Sequence, residues 1–227
     1  MIFSFLVIMT QSEENYLKII YHLSQGEKSP ISTNAIAGKI DTKASSVTDM
    51  LKKLAEKNLV SYLKYQGVLL TQNGLSAAKM IVRKHRLWEV FLVEKLNFTW
   101  DEVHEIAEQL EHIKSEELIN KLDEFLEYPT HDPHGDVIPD RNGTILKTEK
   151  QLLSDLELNK KCIVIGVKDS SSDFLQYLSK QKISLGAKII ILQKEPFDNS
   201  LFIEIKKVKM IISAKIANNI FIKKLQQ

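Results

Sequence analysis

The sequence predicts a mainly α-helical protein with a smaller β-rich part towards its end. Apolar residues recur at helical spacing through most of residues 12–128. Two short β-runs interrupt the helices at 59–70, and further strand patterns occur only beyond residue 160. At roughly 150 residues per domain, a chain of 227 residues is long enough for one or two domains with a substantial core.

Composition excludes several classes of protein. Apolar residues make up 44% of the chain and charged residues 26%, which is typical of a globular protein. Cys162 is the only cysteine, which excludes a disulfide scaffold and a cysteine-rich zinc site and fits a reducing compartment. The longest apolar run, residues 2–9, is far shorter than the roughly 20 residues of a transmembrane helix and lacks the features of a signal peptide. It is either a short arm or lies upstream of a translation start at Met9, and we favour the second interpretation.

Residues 9–72 are predicted to form a winged helix-turn-helix domain. Ser12 is expected to cap the first helix, with Glu13 and Glu14 complementing the dipole in its first turn. The further elements are predicted as helix, helix, strand and strand at about 33–40, 45–57, 59–65 and 68–70. Three helices closed by a β-hairpin are typical of this fold, and the third helix is the one that enters the major groove of DNA.

Residues 73–128 are predicted to be helical and to end in a linker. The three helices are expected at about 71–95, 99–113 and 115–128. Thr99, with Glu102 three residues later, is a capping box that marks the start of the second of them. Because three of the five prolines and two of the eight glycines fall within 128–143, the segment 129–147 is predicted to be a linker or surface loop.

Residues 148–227 are predicted to form a small β-rich domain. The periodicity changes there from helical spacing to short runs of apolar and β-branched residues. Strands are expected at about 162–167, 188–192, 201–205 and 209–212, and one short helix at about 172–180.

Charge and histidine are unevenly distributed along the chain. Residues 73–143 carry 15 acidic and 8 basic side chains, whereas residues 144–227 carry 15 lysines and 8 acidic side chains. Five of the six histidines lie between residues 85 and 134, within the acidic segment. Histidine and carboxylate concentrated in one segment are the first indication of a metal site.

The predicted helix at 100–113 gathers potential metal ligands on one face. At about 100° per residue, four of them share an arc of about 100° beside an apolar face: His104, Glu108, Glu111 and His112. The simpler interpretation is a solvated polar face with Glu–His pairs. The preceding helix, however, offers His85 and Glu89 one turn apart. Two neighbouring helices that each present histidine and carboxylate favour a metal site.

Polar and basic side chains of the predicted helix-turn-helix are candidates for contacts with DNA. Serines at the start of the third helix can reach bases and phosphates, and lysines supply charge towards the DNA backbone. The candidates are Thr33, Lys43, Ser45, Ser46, Asp49, Lys53 and Lys64. Alternatively, the serines only cap the helix and the lysines are merely solvated. Asp49 would repel phosphate unless it accepts a hydrogen bond from a cytosine amine.

Five segments carry a specific combination of residues. They are SEENYLKIIYHL at 12–23, ASSVT at 44–48, RKHRLWE at 83–89, VHEIAEQLEH at 103–112 and DPHG at 132–135. Together they resemble the diphtheria-toxin-repressor family of metal-dependent regulators, over about residues 9–225. The resemblance is closest to the manganese-sensing branch, because Glu108 stands where the iron-sensing branch carries cysteine. It implies that the C-terminal β-rich domain is SH3-like (FeoA-like) and that the helical domain binds metal and dimerises.

The resemblance implies two metal sites. The ligands of the main site would be Asn15, His85, Glu108, Glu111 and His112. The ancillary site would contain Glu89 and His104, with possible additions from Asp132, His134 and Asp169. Two positions depart from the family: Asn15 replaces the usual Asp or Met with a weaker, neutral ligand, and Lys18 stands where some manganese sensors carry a carboxylate. Lys18 argues against a close metal pair and could instead pair with a nearby carboxylate.

The resemblance also implies a function. The protein is expected to be a cytoplasmic, homodimeric repressor of metal-uptake genes that binds a palindromic DNA operator when loaded with Mn²⁺ or Fe²⁺. Neither a membrane partner nor a catalytic activity is expected. Metal would favour one arrangement of the first helix and the DNA-binding domain, and the operator would favour the same arrangement.

Two other functions were weighed. The first is a metal-independent winged-helix regulator whose histidines and glutamates only decorate the surface. The second is a di-metal carboxylate enzyme, which typically needs two Glu-x-x-His motifs on a helical bundle. The sequence has none, because Gln109 precedes His112 by three residues and Val82 precedes His85. We therefore expect that the protein is not an enzyme.

Overall fold

The computed structural model describes residues 9–24, 29–63, 66–146 and 150–225. The helices are α1 (Gln11–Ser24), α2 (Thr33–Ile40), α3 (Ala44–Glu56), α4 (Gln72–Leu96), α5 (Val103–Leu110), α6 (Glu116–Phe125), α7 (Ser172–Lys180) and α8 (Ala214–Ala217). The strands are β1 (Val60–Leu63), β2 (Gly67–Leu70), β3 (Gln151–Leu152), β4 (Lys161–Val167), β5 (Lys188–Lys194), β6 (Leu201–Ile205), β7 (Val208–Ile212) and β8 (Ile220–Lys224). The interpretation of residues 1–8 and the DNA-binding candidate Lys64 both lie outside the described residues. In the described ranges, every helix is too short or too polar to cross a lipid bilayer.

The described residues form two compact units that do not follow chain order. The first unit contains the residues up to His85 together with Gln109–Glu116 and Pro139–Thr144. The second contains Arg86–Glu108, Glu117–Ile138 and the residues from Ile145 onward. The predicted boundaries at 72, 128 and 147 follow sequence composition and stay a prediction.

The first unit has the predicted arrangement of three helices and a β-hairpin. Its core is formed by apolar side chains that recur at helical spacing, including Leu17, Ile20, Ile36, Val47, Leu51 and Leu54. The strands β1 and β2 pair antiparallel, from Val60 opposite Leu70 to Leu63 opposite Gly67. Val68 of β2 also exchanges backbone hydrogen bonds with Ile31, which lies just before α2. The hairpin is thereby held against the helix-turn-helix, as a wing requires.

The cap of α1 differs from the prediction. Thr10, not Ser12, caps the helix: its hydroxyl accepts a hydrogen bond from the Glu13 N–H (3.3 Å). The Glu13 carboxylate accepts from the Thr10 N–H in return (2.8 Å), which completes a capping box. Because the helix begins at Gln11, Ser12 already lies inside the first turn and cannot act as the cap.

The second unit contains a six-stranded antiparallel sheet. The strand order is β3-β8-β4-β5-β6-β7. The four strands predicted from the sequence and the helix α7 are confirmed, whereas β3, β8 and the short helix α8 were missed. In β8, Ile220 and Ile222 are buried and alternate with partly exposed residues, so the strand period was present in the sequence. The core of this domain consists of apolar residues that include Cys162, Ile189 and Ile203.

Candidate metal centre

The helix that carries most candidate ligands is shorter than predicted. The N–H and hydroxyl of Thr99 both donate to the Glu102 carboxylate, as expected for a cap, but α5 begins only at Val103. It ends at Leu110, where the Ile113 N–H donates to the Leu110 carbonyl in a tighter turn. Glu111 and His112 therefore lie beyond the helix, and the single helical arc predicted for them is wrong.

In the first unit, Glu111 is the centre of a buried charge cluster. Its side chain is completely buried. The Lys18 ammonium of α1 lies 2.7 Å from Oε1 and 2.8 Å from Oε2 of Glu111. Nδ1 of His85 on α4 lies 2.6 Å from Oε2. Burial favours the protonated form of Glu111, but the hydrogen bond from His85 and the charge of Lys18 outweigh it and lower the pKa of Glu111.

His112 joins this cluster to the first helix through Glu14. Nδ1 of His112 lies 2.5 Å from Oε2 of Glu14, and Nε2 lies 3.9 Å from Oε1 of Glu111. Glu14 is buried, whereas Asn15 is exposed. Consecutive residues of a helix point about 100° apart, so α1 directs Glu14 and Lys18 towards the cluster and Asn15 towards solvent. The structure thus brings Glu14, and not the predicted ligand Asn15, to the cluster. The ligand role of either residue stays a prediction.

In the second unit, Glu89, Asp132 and His134 form a separate buried group. Each of the three offers a ligand atom, and these atoms lie within 4.8 Å of one another. Nδ1 of His134 lies 3.5 Å from Oε2 of Glu89. Nε2 of His134 donates to the Trp100 carbonyl (2.7 Å), which leaves Nδ1 as the atom directed towards Glu89.

This group combines two buried carboxylates with one histidine. Burial and repulsion from Glu89 raise the pKa of Asp132 to about 7. Burial opposes the charged form of His134, but its hydrogen bond with Glu89 and attraction to both carboxylates raise the pKa of His134 to about 9. Two buried carboxylates therefore already attract a positive charge to this position.

The loop that carries Asp132 and His134 is held by its own backbone and by Gly135. Oδ1 of Asp132 accepts from the N–H groups of His134 (2.8 Å) and Asp136 (2.9 Å). Gly135 has φ +83°, and a Cβ there would lie 2.0 Å from the carbonyl oxygen of Ile165. Only glycine permits both this backbone conformation and the close approach to β4.

Arg86 of α4 also holds this loop. Its Nη1 donates to the Val137 carbonyl (2.5 Å), and its Nε lies 3.4 Å from Asp132. Nη2 of Arg86 lies 3.5 Å from Asp136. Sequence analysis did not single out Arg86, although it lies between His85 and Glu89 on the same helix.

The remaining candidates, His104 and Glu108, are more exposed. Nδ1 of His104 lies 3.5 Å from Glu89 in the second unit. Its Nε2 lies 3.6 Å from Glu108, one turn further along α5. The side chains of His104 and Glu108 are about half exposed. This pair fits the i,i+4 interaction that is the alternative to a metal site.

The donor chemistry of both groups fits a divalent ion such as Mn²⁺ or Fe²⁺. All donors are carboxylate oxygens or imidazole nitrogens, which suit such ions. The three donors of the second unit are close enough to share one ion. In the first unit, Lys18 supplies a positive charge at Glu111. Cys162 is buried in the β-rich core, where burial raises the pKa of its thiol to about 11, so it does not compete as a ligand.

Comparison with known proteins identifies relatives of the chain. Residues 8–68 match the family described as iron dependent repressor, N-terminal DNA binding domain. Residues 71–140 match the iron dependent repressor, metal binding and dimerisation domain, and residues 151–224 match the FeoA domain. An uncharacterized HTH-type transcriptional regulator of Methanocaldococcus jannaschii is 40% identical over 119 residues, 52% of this chain and 95% of that protein. The chain belongs to the iron-dependent repressor family.

Relatives in this family include both iron and manganese regulators. The iron-dependent repressor IdeR of Mycobacterium bovis is 31% identical over 131 residues, 58% of this chain and 56% of that protein. A solved manganese-dependent transcriptional repressor in complex with manganese has a TM-score of 0.80 and 32% identity, over 94% of this chain and 100% of that one. The resemblance to the diphtheria-toxin repressors and the predicted fold class are confirmed.

The DNA-binding candidates of this repressor-family chain lie on α2 and α3. Val47, Leu51 and Leu54 face the core of the first unit, which leaves the opposite face of α3 exposed. That face carries most of the candidates, with Lys43 immediately before the helix: Lys43, Ser45, Ser46, Asp49 and Lys53. Thr33 is half-buried at the start of α2. Lys52 lies 3.2 Å from Asp49, which lessens the repulsion expected between Asp49 and phosphate. The roles of these residues stay a prediction.

Proposed function

We propose that this protein is a cytoplasmic, homodimeric repressor that binds a palindromic operator of metal-uptake genes when it holds a divalent metal. The observation that carries the proposal is the double role of α1. Leu17 and Ile20 of this helix pack in the core of the DNA-binding unit. The same helix directs Glu14 and Lys18 at His112 and Glu111. A metal bound there acts directly on a helix of the DNA-binding unit.

The mechanism is a linkage between two binding equilibria. A metal held by Glu14, His85, Glu111 and His112 fixes α1 relative to α4 and the turn after α5. If the operator prefers the same arrangement, metal and DNA each increase the affinity for the other by the same factor. The group of Glu89, Asp132 and His134, with His104 beside it, is a second metal site in this proposal. A metal ion bound in this second site would stabilise the second unit through its charge, and it would have no direct role at the DNA-binding helices.

Mn²⁺ is the metal that the donor set favours, and Fe²⁺ is the second choice. Oxygen and imidazole donors suit Mn²⁺, whereas a thiolate would favour softer and more tightly bound metals. Glu108 supports this choice, because cysteine at the corresponding position would add such a thiolate. Intrinsic affinity nevertheless rises from Mn²⁺ through Fe²⁺ to Ni²⁺, so the selection must come from geometry and from which bound ion activates.

The decisive experiment measures operator binding with and without metal. We expect Mn²⁺ or Fe²⁺, under anaerobic conditions, to tighten binding to the protein's own promoter region, and a chelator in excess to reverse it. The logarithm of the affinity should fall by about 0.9 per neutralised phosphate as the logarithm of salt concentration rises. His112→Ala should lose the metal response and stay folded, because His112 contributes a ligand and not core volume.

Equally tight operator binding in excess chelator would support the metal-independent winged-helix regulator instead. The Lys18–Glu111 ion pair is the feature that favours this second candidate, since it neutralises Glu111 without a metal. Activation by Zn²⁺ alone would reject the manganese assignment. We also propose that the chain has no catalytic activity, in keeping with a family of transcriptional regulators.

A further inference from the structure

We propose that Lys18 is a built-in competitor of the metal, whose ammonium must leave Glu111 before a divalent ion can bind there. The inference rests on the proposed function, because it concerns how strongly the metal site of the first unit binds. It assigns Lys18 the role of setting the metal concentration at which the protein responds.

The contact between Lys18 and Glu111 is close and protected from water. The ammonium lies within 2.8 Å of both carboxylate oxygens. Lys18 is 6% exposed and Glu111 is completely buried. The two residues are 93 positions apart in the chain, so tertiary folding alone creates the pair. Two buried charges in such a contact are stable together and unstable apart, because neither has access to water.

Lys18 and a metal ion would compete for the carboxylate oxygens of Glu111. A carboxylate offers about four lone-pair positions. Lys18 faces both oxygens of Glu111, and His85 lies 2.6 Å from one of them. A divalent ion that binds either oxygen approaches the same region as the ammonium, and the two positive charges repel each other strongly in a buried environment. The free energy of metal binding therefore includes the cost of displacing the Lys18 ammonium from Glu111.

Lys18 also supplies a counter-ion within the cluster. Lys18 and His85 both lie within hydrogen-bonding distance of the Glu111 carboxylate. His112 is meanwhile held by Glu14, on the same face of α1 as Lys18. In this arrangement, the Lys18 ammonium acts as the counter-ion of Glu111. The metal replaces this ammonium and does not have to assemble the cluster from separated parts.

The test compares Mn²⁺ affinities of two lysine variants. Both variants and the reference carry His134→Ala, which removes a ligand from the group in the second unit, so that the titration reports the first unit. Lys18→Met keeps the length of the side chain but removes the charge. Lys84→Met is the matched control, because Lys84 is a neighbouring partly buried lysine whose Nζ contacts the Ile113 carbonyl at 3.5 Å. Glu14 and Glu111 attract Lys84 only through longer-range charge.

We expect Lys18→Met to tighten Mn²⁺ binding about tenfold or more in equilibrium dialysis, and Lys84→Met to change it by less than about threefold. Equal affinity of the reference and Lys18→Met, or weaker binding by Lys18→Met, overturns the proposal. Equal tightening by both variants also overturns it, since general electrostatics would then replace displacement. If Lys18→Met binds Mn²⁺ and the reference does not, this result supports the proposal, because Lys18 then blocks metal binding completely. If neither the reference nor either variant binds metal, the proposed function fails together with this proposal. If the chains bind metal but Lys18→Met does not bind it more tightly, only this proposal fails, so the two failures are distinguishable.

A second measurement guards against misfolding of the variant. Thermal unfolding of the metal-free chains should show a lower midpoint for Lys18→Met than for the reference, because Glu111 loses its partner. Added Mn²⁺ should raise the midpoint of Lys18→Met by more than that of the reference. A metal-free Lys18→Met as stable as the reference, with the same response to Mn²⁺, overturns the proposal independently of dialysis.

Discussion

At the residue scale, neighbouring positions of the first helix differ in whether their side chains reach the buried cluster or the solvent. Glu14 is buried against His112, whereas its neighbour Asn15 is exposed. An ionised carboxylate in a buried cluster attracts a divalent ion far more strongly than an exposed amide does. In the proposed site, the ligand from α1 would therefore be the charged Glu14, and the neutral side chain at position 15 would not weaken metal binding.

This arrangement predicts opposite outcomes for two substitutions on α1. Glu14→Gln should weaken Mn²⁺ binding by about tenfold, because it removes a charge from the cluster and keeps the shape of the side chain. Asn15→Asp should change the affinity by less than about twofold, since its carboxylate would be hydrated. Isothermal titration calorimetry on both variants checks this. Tighter binding by Asn15→Asp with no effect of Glu14→Gln would mean that α1 presents position 15 to the metal.

At the element scale, α1 and α3 are joined by a contact that the sequence did not indicate. The Lys57 ammonium, at the end of α3, lies 2.7–2.8 Å from the Glu13 carboxylate. The hydrogen bond and charge of Lys57, with Thr10, outweigh burial and lower the pKa of Glu13. Glu13 and Glu14 are adjacent, so the first turn of α1 touches both the end of the recognition helix and the metal cluster. In the proposed mechanism, this turn would connect metal binding to α3.

Lys57→Met should therefore weaken operator binding while leaving Mn²⁺ affinity unchanged. The free energy of unfolding should fall by about 1 kcal/mol, because a partly buried charged hydrogen bond is lost. The salt dependence of operator binding separates this role from a phosphate contact. The slope should stay the same for Lys57→Met and should decrease by about 0.9 for Lys53→Met, if Lys53 touches phosphate. A reduced slope for Lys57→Met would contradict a positioning role.

Two glycines with positive φ offer a matched test of the loop that carries Asp132 and His134. A Cβ on Gly135 would lie 2.0 Å from the Ile165 carbonyl, whereas a Cβ on Gly143 would meet only the Lys79 side chain at 3.4 Å. Gly143→Ala should lower the free energy of unfolding by about 1 kcal/mol, which reflects backbone strain alone. Gly135→Ala should lower it by clearly more and should also weaken metal binding by Glu89, Asp132 and His134. Thermal unfolding measures the loss of stability, and the number of metal ions bound per chain measures the effect on metal binding. Equal effects of the two substitutions would argue against the close approach of Gly135 to the Ile165 carbonyl.

At the scale of the whole molecule, large apolar side chains remain exposed in the segment that matches the dimerisation domain. They lie at the end of α4, just after it, and along and after α6: Leu96, Phe98, Leu118, Phe125 and Tyr128. Phe125 is 60% exposed and packs beside Phe91, with the Lys95 ammonium 5.5 Å from its ring centre. A group of exposed apolar residues of this kind is typical of a protein interface.

Phe125→Glu should convert the protein from a dimer to a monomer. A carboxylate would lose its hydration on burial in an apolar interface, which is unfavourable even with Lys95 nearby. Phe197→Glu is the control, because Phe197 is 95% exposed between β5 and β6 in the β-rich domain. Sedimentation equilibrium should show a monomer only for Phe125→Glu, together with weaker operator binding. A dimer of unchanged affinity would remove Phe125 from the interface.

The extent to which the sequence predicted this protein depended on the range of the interactions involved. The helix-turn-helix, the hairpin, α7 and four strands of the sheet follow local periodicity, and each was found. The ends of α1 and α5 were misplaced by up to four residues, because Thr10 and the turn after Leu110 make contacts that local patterns do not contain. The strand β3 has only two residues and exists because it pairs with β8.

By itself, the sequence determined which chemistry was available: carboxylates and imidazoles in one acidic segment, a single cysteine, and five segments typical of one family. Only the tertiary structure decided which of these side chains meet. It placed Glu14 and not Asn15 beside His112, and it set Lys18 against Glu111 across 93 residues. The physical reason is that a helix turns by about 100° per residue, so a single position separates a buried ligand from a solvated one. Burial then makes the charge of each partner decisive, because an uncompensated ion cannot remain away from water.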